Sequence, residues 1–202
     1  PDGHTLVIGQ TGNLAISVSL TKVNYDPARD FAPISLVIAS PHALAVHPSL
    51  PARSLKDLIS LARSKPGELN YASTGSGSAG HLGMELLKKT TRMDLVHVPY
   101  KGAAPGLTDL VAGHVALMFT SALSTAHFQK SGKVLVLAVG SLQRSPSMPE
   151  VPTIAESGYP HFEVISWWGV LGPAAMPKDI VARLNSEIAK VMASPDARDR
   201  IA

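Results

Sequence analysis

Apolar positions along this chain fall into short β-branched runs separated by stretches with helical spacing. Thr5–Gly9 (TLVIG) predicts a short buried strand, which runs into Gln10, Thr11, Gly12 and Asn13 and then a weakly helical stretch. Pro33–Val46 holds two β-branched-rich pieces, ISLVIAS and ALAVHP, separated by Pro41. Ser54 opens the clearest helix, with Leu55, Leu58, Ile59 and Ala62 on one face. Asp57 follows Ser54 closely enough to resemble a capping box, and Pro66–Gly67 ends the run. Leu69–Ala72 is the next strand, and Ala79–Thr90 the next helix, with an apolar side of Leu82, Leu86 and Leu87. A strand at Leu95–Val98, a helix from Gly102–Pro105 to about Gly113, and strands at Val115–Phe119 and Val134–Val139 follow.

The composition then changes. Pro, Ser and Glu dominate from Ser145 to Pro160, which predicts a long surface connection. Phe162–Leu171 reads as a strand in which Trp167 and Trp168 alternate, one facing the core and the other free to line a cleft or hinge. Ile180, Leu184, Ile188 and Val191 recur at helical spacing in the last helix, which still reads as helix at Asp199–Ala202. Alternating short strands and helices predict an α/β fold with a mostly parallel sheet. In such sheets ligands sit at the carboxyl ends of strands. Three small polar loops lie there: Gln10–Asn13, Ser73–Ser78 and Thr120–Ser124.

The middle loop carries the strongest chemical signal. Ser73, Thr74, Gly75, Ser76, Gly77 and Ser78 separate a strand from a helix. Small residues let a ligand approach the backbone, and a helix start offers unpaired N–H groups, which suits a carboxylate or a phosphate. No Gly-Lys-Ser/Thr closes the loop, so it is not a Walker P-loop. Gly75, Gly77 and Gly80 spell G-x-G-x-x-G, with Asp94 as the only carboxylate near the spacing of a dinucleotide site. A turn that merely starts a helix is the plain alternative. His81 could serve a loop serine as base, but no G-x-S-x-G elbow is present. The other histidines are dispersed and read as surface or loop residues, without metal-ligand spacing. Asp94 and Asp109 are single carboxylates in different segments, and Asp109 reads as solvated.

Bulk properties narrow the classes further. The 202 residues are 45% hydrophobic and 16% charged, enough for a core and too apolar for disorder. Net charge is only +3, Lys88–Lys89 is the sole adjacent basic pair, and 5% of residues are aromatic, which argues against nucleic-acid binding. The absence of cysteine excludes disulfides and thiolate metal sites. No apolar run approaches the roughly 18 residues of a membrane span. The chain opens PDGHTLVIG without an initiator Met, and both ends read as cut from a longer protein.

Three long segments carry a resemblance: His47–His81, Val96–Val115 with its VPYKG, and Arg144–Pro177 with its PTIAESG. Together with the opening PDGHTLVIGQTGNLAI they resemble the TctC/Bug family, extracytoplasmic receptors of tripartite tricarboxylate transporters. The resemblance implies a two-lobed, type II-like periplasmic binding protein with crossing hinge strands near Leu36–Ala39 and Glu163–Trp167. It implies part of lobe one in 1–38, lobe two in 39–162, and a return to lobe one in 163–202. The family's opening strand with its Pro-Gly-Gly loop, and its last helices, have no counterpart here.

The implied function is reversible periplasmic capture of a small carboxylic acid or dicarboxylate between the lobes, for delivery to membrane components of the transporter. No catalytic residue, metal or cofactor is expected. Transferred residue by residue, the ligand-binding positions are Thr11, Gly12 and Asn13, then Ser73, Thr74, Gly75, Ser76, Gly77, Ser78 and His81, and finally Thr120. The family commonly has Asp at the last position, and Thr120 favours a plain acid over an amino acid. A hydrolase using a loop serine with His81, and a sensory receptor that presents its ligand, are the alternatives.

Overall fold

A computed structural model describes residues 2–197. The chain divides into two compact units. Ser40–Ile165 forms one, and the stretch ending at Ala39 combines with the stretch beginning at Ser166 to form the other. The helix expected at Asp199–Ala202 lies outside the described residues.

The continuous unit is a sheet covered on both faces. Its strands are the second half of β2 (Phe31–Val46), with β3 (Asn70–Ser73), β4 (Val96–Pro99), β5 (Leu117–Ser121) and β6 (Leu135–Val139). β3 pairs in parallel with β4 and β5, while β2 runs antiparallel to β5 and β6. The parallel sheet expected from the sequence is therefore the β4–β3–β5 core of a mixed sheet. Successive residues point to opposite faces. Leu44, Tyr71 and Phe119 join a core with α3 (Leu55–Ser64) and α4 (Ala79–Thr91), including Leu58, Met84 and Leu87. Their neighbours Ala43, Ala72 and Met118 join a second core with α5 (Ala103–Ala112) and α6 (Ala122–Lys130), through Leu107, Leu110 and Ala126.

α3 follows its sequence pattern: Leu55, Leu58, Ile59 and Ala62 are its buried residues. Ser54 Oγ accepts the Asp57 N–H, which satisfies one orphan donor of the helix start, and the Asp57 carboxylate reaches back to accept the N–H of Arg53, the residue before the cap. α4 does not follow its pattern. Leu82 and Leu86 are exposed, and the buried face is Gly80, Gly83, Met84, Leu87 and Thr91. The two glycines bring the helix backbone close to the sheet, and that rotates the leucines outward.

Three further expectations are corrected. The piece around Pro41 does not divide two strands: β2 runs unbroken for 16 residues. α6 starts directly after Ser121, so no polar loop occupies Thr120–Ser124. The Pro-rich stretch 145–160 is not a surface connection, since Met148, Val151, Thr153 and Ile154 are buried and Val139 bridges Thr153.

The second unit pairs β1 (Val7–Gln10) antiparallel with β7 (Ile165–Pro173), in register from Val7 with Leu171 to Gln10 with Trp168. β7 also neighbours β2. A π-helical turn (Gly12–Ile16), α1 (Ser17–Leu20), α2 (Pro27–Asp30) and α7 (Lys178–Ala193) complete it. Ile34, Leu171 and Met176 are its buried apolar side chains. Neither tryptophan reaches a core, as Trp167 and Trp168 are both half-buried. On α7, Ile180, Leu184 and Ile188 are half-buried and Val191 is exposed. No described helix is long and apolar enough to cross a membrane.

Candidate functional site

The loop Ser73–Ser78 leaves the carboxyl end of β3 and enters α4. Gly75 (φ +132°) and Gly77 (φ +78°) adopt backbone conformations that side chains disfavour, which explains glycine at both positions. Ser78 caps the helix, its Oγ accepting the His81 N–H at 3.2 Å. The Ser78 N–H is bonded to Gly75 O, and the first bond within the helix runs from Leu82 N–H to Ser78 O. The N–H groups of Ala79 and Gly80 precede Leu82, the donor of that first bond. Thr74, Gly75, Gly77, Ser78 and Ala79 are half-buried and Ser76 is exposed. No charged side chain lies in the loop itself. An amide array at a helix start, flanked by hydroxyls, suits a small anion.

Imidazoles hold the loop at both ends. Ser73 is fully buried, and its Oγ lies 2.7 Å from His97 Nε2 while also bonding Gly75 N and O. His81 Nδ1 accepts the Gly77 N–H at 3.1 Å, and the His81 ring stacks on His97 with centroids 4.1 Å apart. His97 stacks on Tyr71 at 4.9 Å. Tyr71 donates to Glu85 at 2.6 Å, and Lys88 donates to the same carboxylate oxygen at 2.7 Å. Burial, then the neighbouring His81, lowers the His97 pKa, with Glu85 opposing. Burial works to raise Glu85, but the hydrogen bonds from Lys88 and Tyr71 outweigh it and hold the carboxyl below its ordinary range.

This geometry does not supply the serine–His81 pair that a hydrolase reading needs: no hydrogen bond between a loop serine hydroxyl and the His81 ring is found among the described residues. His97, not His81, is paired with a loop serine, and that serine is closed to substrate. Asp109 is also not simply solvated: Tyr100 donates to it at 2.6 Å and His114 lies 3.4 Å away, and the Tyr100 bond lowers its pKa.

Thr120 is 2% exposed and sits at the end of β5, which runs parallel to β3 with Met118 opposite Ala72. The start of α4 touches this strand end. A Cβ on Gly80 would lie 2.2 Å from Phe119 O and 3.5 Å from His42. His42 faces Ser121 in the strand register, and Ser121 Oγ bonds Ser40 Oγ at 2.9 Å in a buried pair. His42 itself is buried against Phe119, with no partner for its Nδ1 among the described residues. Within this unit the structure therefore brings together Ser73–Ser78, His81 and Thr120. His42 and His97 are the polar residues that sequence reasoning passed over, having placed the dispersed histidines at the surface.

Thr11, Gly12 and Asn13 belong to the other unit, where β1 meets the π-helical turn. Thr11 Oγ1 accepts the Trp167 N–H at 3.1 Å, and Asn13 Oδ1 accepts the Gln10 N–H at 2.8 Å. The two side chains thus brace the turn, leaving Gly12 as its open position, with nothing within 4 Å of a built Cβ. Gly12→Ala is expected to keep folding stability within about 0.5 kcal/mol. A urea titration checks this, and a loss of ligand affinity in the same variant would then report close ligand approach to this turn.

The whole chain matches the family model described as tripartite tricarboxylate transporter family receptor (TctC), over residues 1–202. It is 42% identical over 196 residues to the UPF0065 protein in the tcbD-tcbE intergenic region of Pseudomonas sp. strain P51, covering 96% of this chain and 58% of that relative. Among solved structures it resembles an R. palustris protein with adipate at 38% identity and a TM-score of 0.89, covering 98% of this chain and 67% of the other. It resembles MatC from Rhodopseudomonas palustris with bound malate at 34% identity and a TM-score of 0.90, covering 99% and 68%. The periplasmic binding protein BugD matches at 32% identity and a TM-score of 0.87, covering 100% and 67%. The fold is thus that of the periplasmic binding proteins, and the chain spans a little over half the length of the curated relative it matches. From the family model and these relatives together, the chain belongs to the TctC family of tripartite tricarboxylate transporter receptors.

Proposed function

We propose that this protein is a periplasmic receptor that captures a small carboxylic acid, a dicarboxylate in particular, and passes it to the membrane components of a tripartite tricarboxylate transporter. The observation that carries the reading is the charge-free Ser73–Ser78 loop opening α4. Its amides and hydroxyls complement a carboxylate without a salt bridge, and the adipate and malate held by two similar proteins are dicarboxylates. The ligand contacts are proposed at Thr74–Ser78, His81 and Thr120 in one unit, with Ser73 buried beneath the loop, and at Thr11–Asn13 in the other. Thr120 offers a hydroxyl and no charge, which favours an acid without an amino group. Binding is reversible and no bond in the ligand is made or broken, in keeping with a family of receptors rather than enzymes.

A ligand that binds only the folded state stabilises it by about 2.7 kcal/mol at a hundredfold excess over Kd. Adipate, malate and succinate are therefore expected to raise the melting temperature by several degrees, and aspartate and glutamate by less. A differential scanning measurement on the whole protein decides. Absence of any shift across dicarboxylates, aromatic acids and amino acids at millimolar concentration would sink the receptor reading.

A further inference from the structure

We propose that His97, on β4, is the positioning residue of the ligand-binding loop: through Ser73 at the loop's start and His81 at its end, it sets the backbone amides that receive the acid. This rests on the carboxylate reading above. The loop is 24 residues away in sequence, yet His97 reaches it twice. Its ring edge meets Ser73 Oγ at 2.7 Å, and the same hydroxyl clasps both N and O of Gly75 at 3.2 Å. Its ring face carries His81 at 4.1 Å, and His81 holds the Gly77 N–H. Gly75 and Gly77 are the two positive-φ residues of the loop, so the most deformable points of the backbone are the ones held.

Few side chains can do both tasks. Phe supplies a face without a hydrogen-bonding edge, and Gln supplies an edge without a face. The stack is itself fixed from behind. Tyr71 lies against the other side of His97 and is tied to Glu85, which Lys88 also holds, so residues from β3, β4 and α4 converge on the ring. Serine and imidazole in this position are the geometry of a nucleophile and base, but the full burial of Ser73 converts the pair into a clamp.

The test measures adipate affinity by calorimetry and the Gly75 and Gly77 amide resonances by NMR, in the whole protein and three variants. His97→Phe is expected to weaken adipate roughly fivefold to tenfold and to move both resonances. His97→Gln, which keeps an edge for Ser73, is expected to recover most of the affinity and return the Gly75 resonance towards its native position. Ser73→Ala should lose about as much as His97→Phe, and the double variant no more than either, because the two side chains act through one bond. Native-like affinity and unmoved resonances in His97→Phe would overturn the proposal while leaving the receptor reading intact. So would an affinity loss that merely parallels lost thermal stability and that Gln does not relieve. Failure of the native protein to bind any acid would overturn both readings.

Discussion

Acidification from pH 7.5 to 4.5 is expected to cost the fold about 2.5 kcal/mol through His42 alone. His42 is 4% exposed, and its Nδ1 has no partner among the described residues. Burial pushes its pKa down from 6.5 to about 4. The sign follows from which state takes the proton. Near pH 5 the unfolded chain binds a proton at this imidazole and the folded chain does not, so stability falls as pH drops. The loss begins as pH passes below 6.5 and levels off below about 4, where the folded state protonates too. Replacing the ring by a leucine of similar volume removes the titrating group. Urea unfolding of the native protein and His42→Leu at the two pH values isolates the effect. The variant should lose about 2.5 kcal/mol less than the native protein. An equal loss in both would show that His42 is not the acid-sensitive group.

Gly80→Ala is expected to destabilise the protein by about 2–3 kcal/mol, a large cost for one methyl group. The added Cβ would lie 2.2 Å from Phe119 O, a backbone atom in the middle of the sheet that cannot swing aside. Either α4 lifts from β5 or the strand bends, and both displace the Ser78 cap and the loop it terminates. At Gly83 the nearest atoms are 2.8 and 2.9 Å away and belong to the side chains of Phe119 and Val164, which can yield. Gly83→Ala should therefore cost less. Thermal melts of the two variants order the costs, and a Gly80→Ala protein as stable as the native one would refute the close contact.

The same two glycines show where the sequence could be read and where it could not. Leu55, Leu58, Ile59 and Ala62 announced the buried face of α3, because there the apolar side chains make the contact. On α4 the contact is made by an absence of side chain at Gly80 and Gly83, which hydrophobic periodicity does not register, so Leu82 and Leu86 were assigned to the wrong face. α6, with its small and polar residues ALSTAHFQK, has too little periodicity to stand out, and Pro41 suggested a break that the strand does not make. The Ser73–Ser78 loop was legible from composition alone, since glycine and serine before a helix mark accessible backbone. The role of His97 was not, because it depends on β4 lying beside β3, a pairing no local pattern encodes.

The division of the chain also orders events in time. Ser40–Ile165 is contiguous, so every strand and helix of that unit has been synthesised before the second segment of the other unit begins at Ser166. The pairing of β1 with β7 has to wait for β7, which begins 158 positions after Val7. Until β7 has been made, Val7 and Ile8 lack this cross-strand partner, and an apolar strand without its partner is the kind of surface that recruits other chains. During synthesis the continuous unit can therefore be complete before the β1–β7 pairing is made.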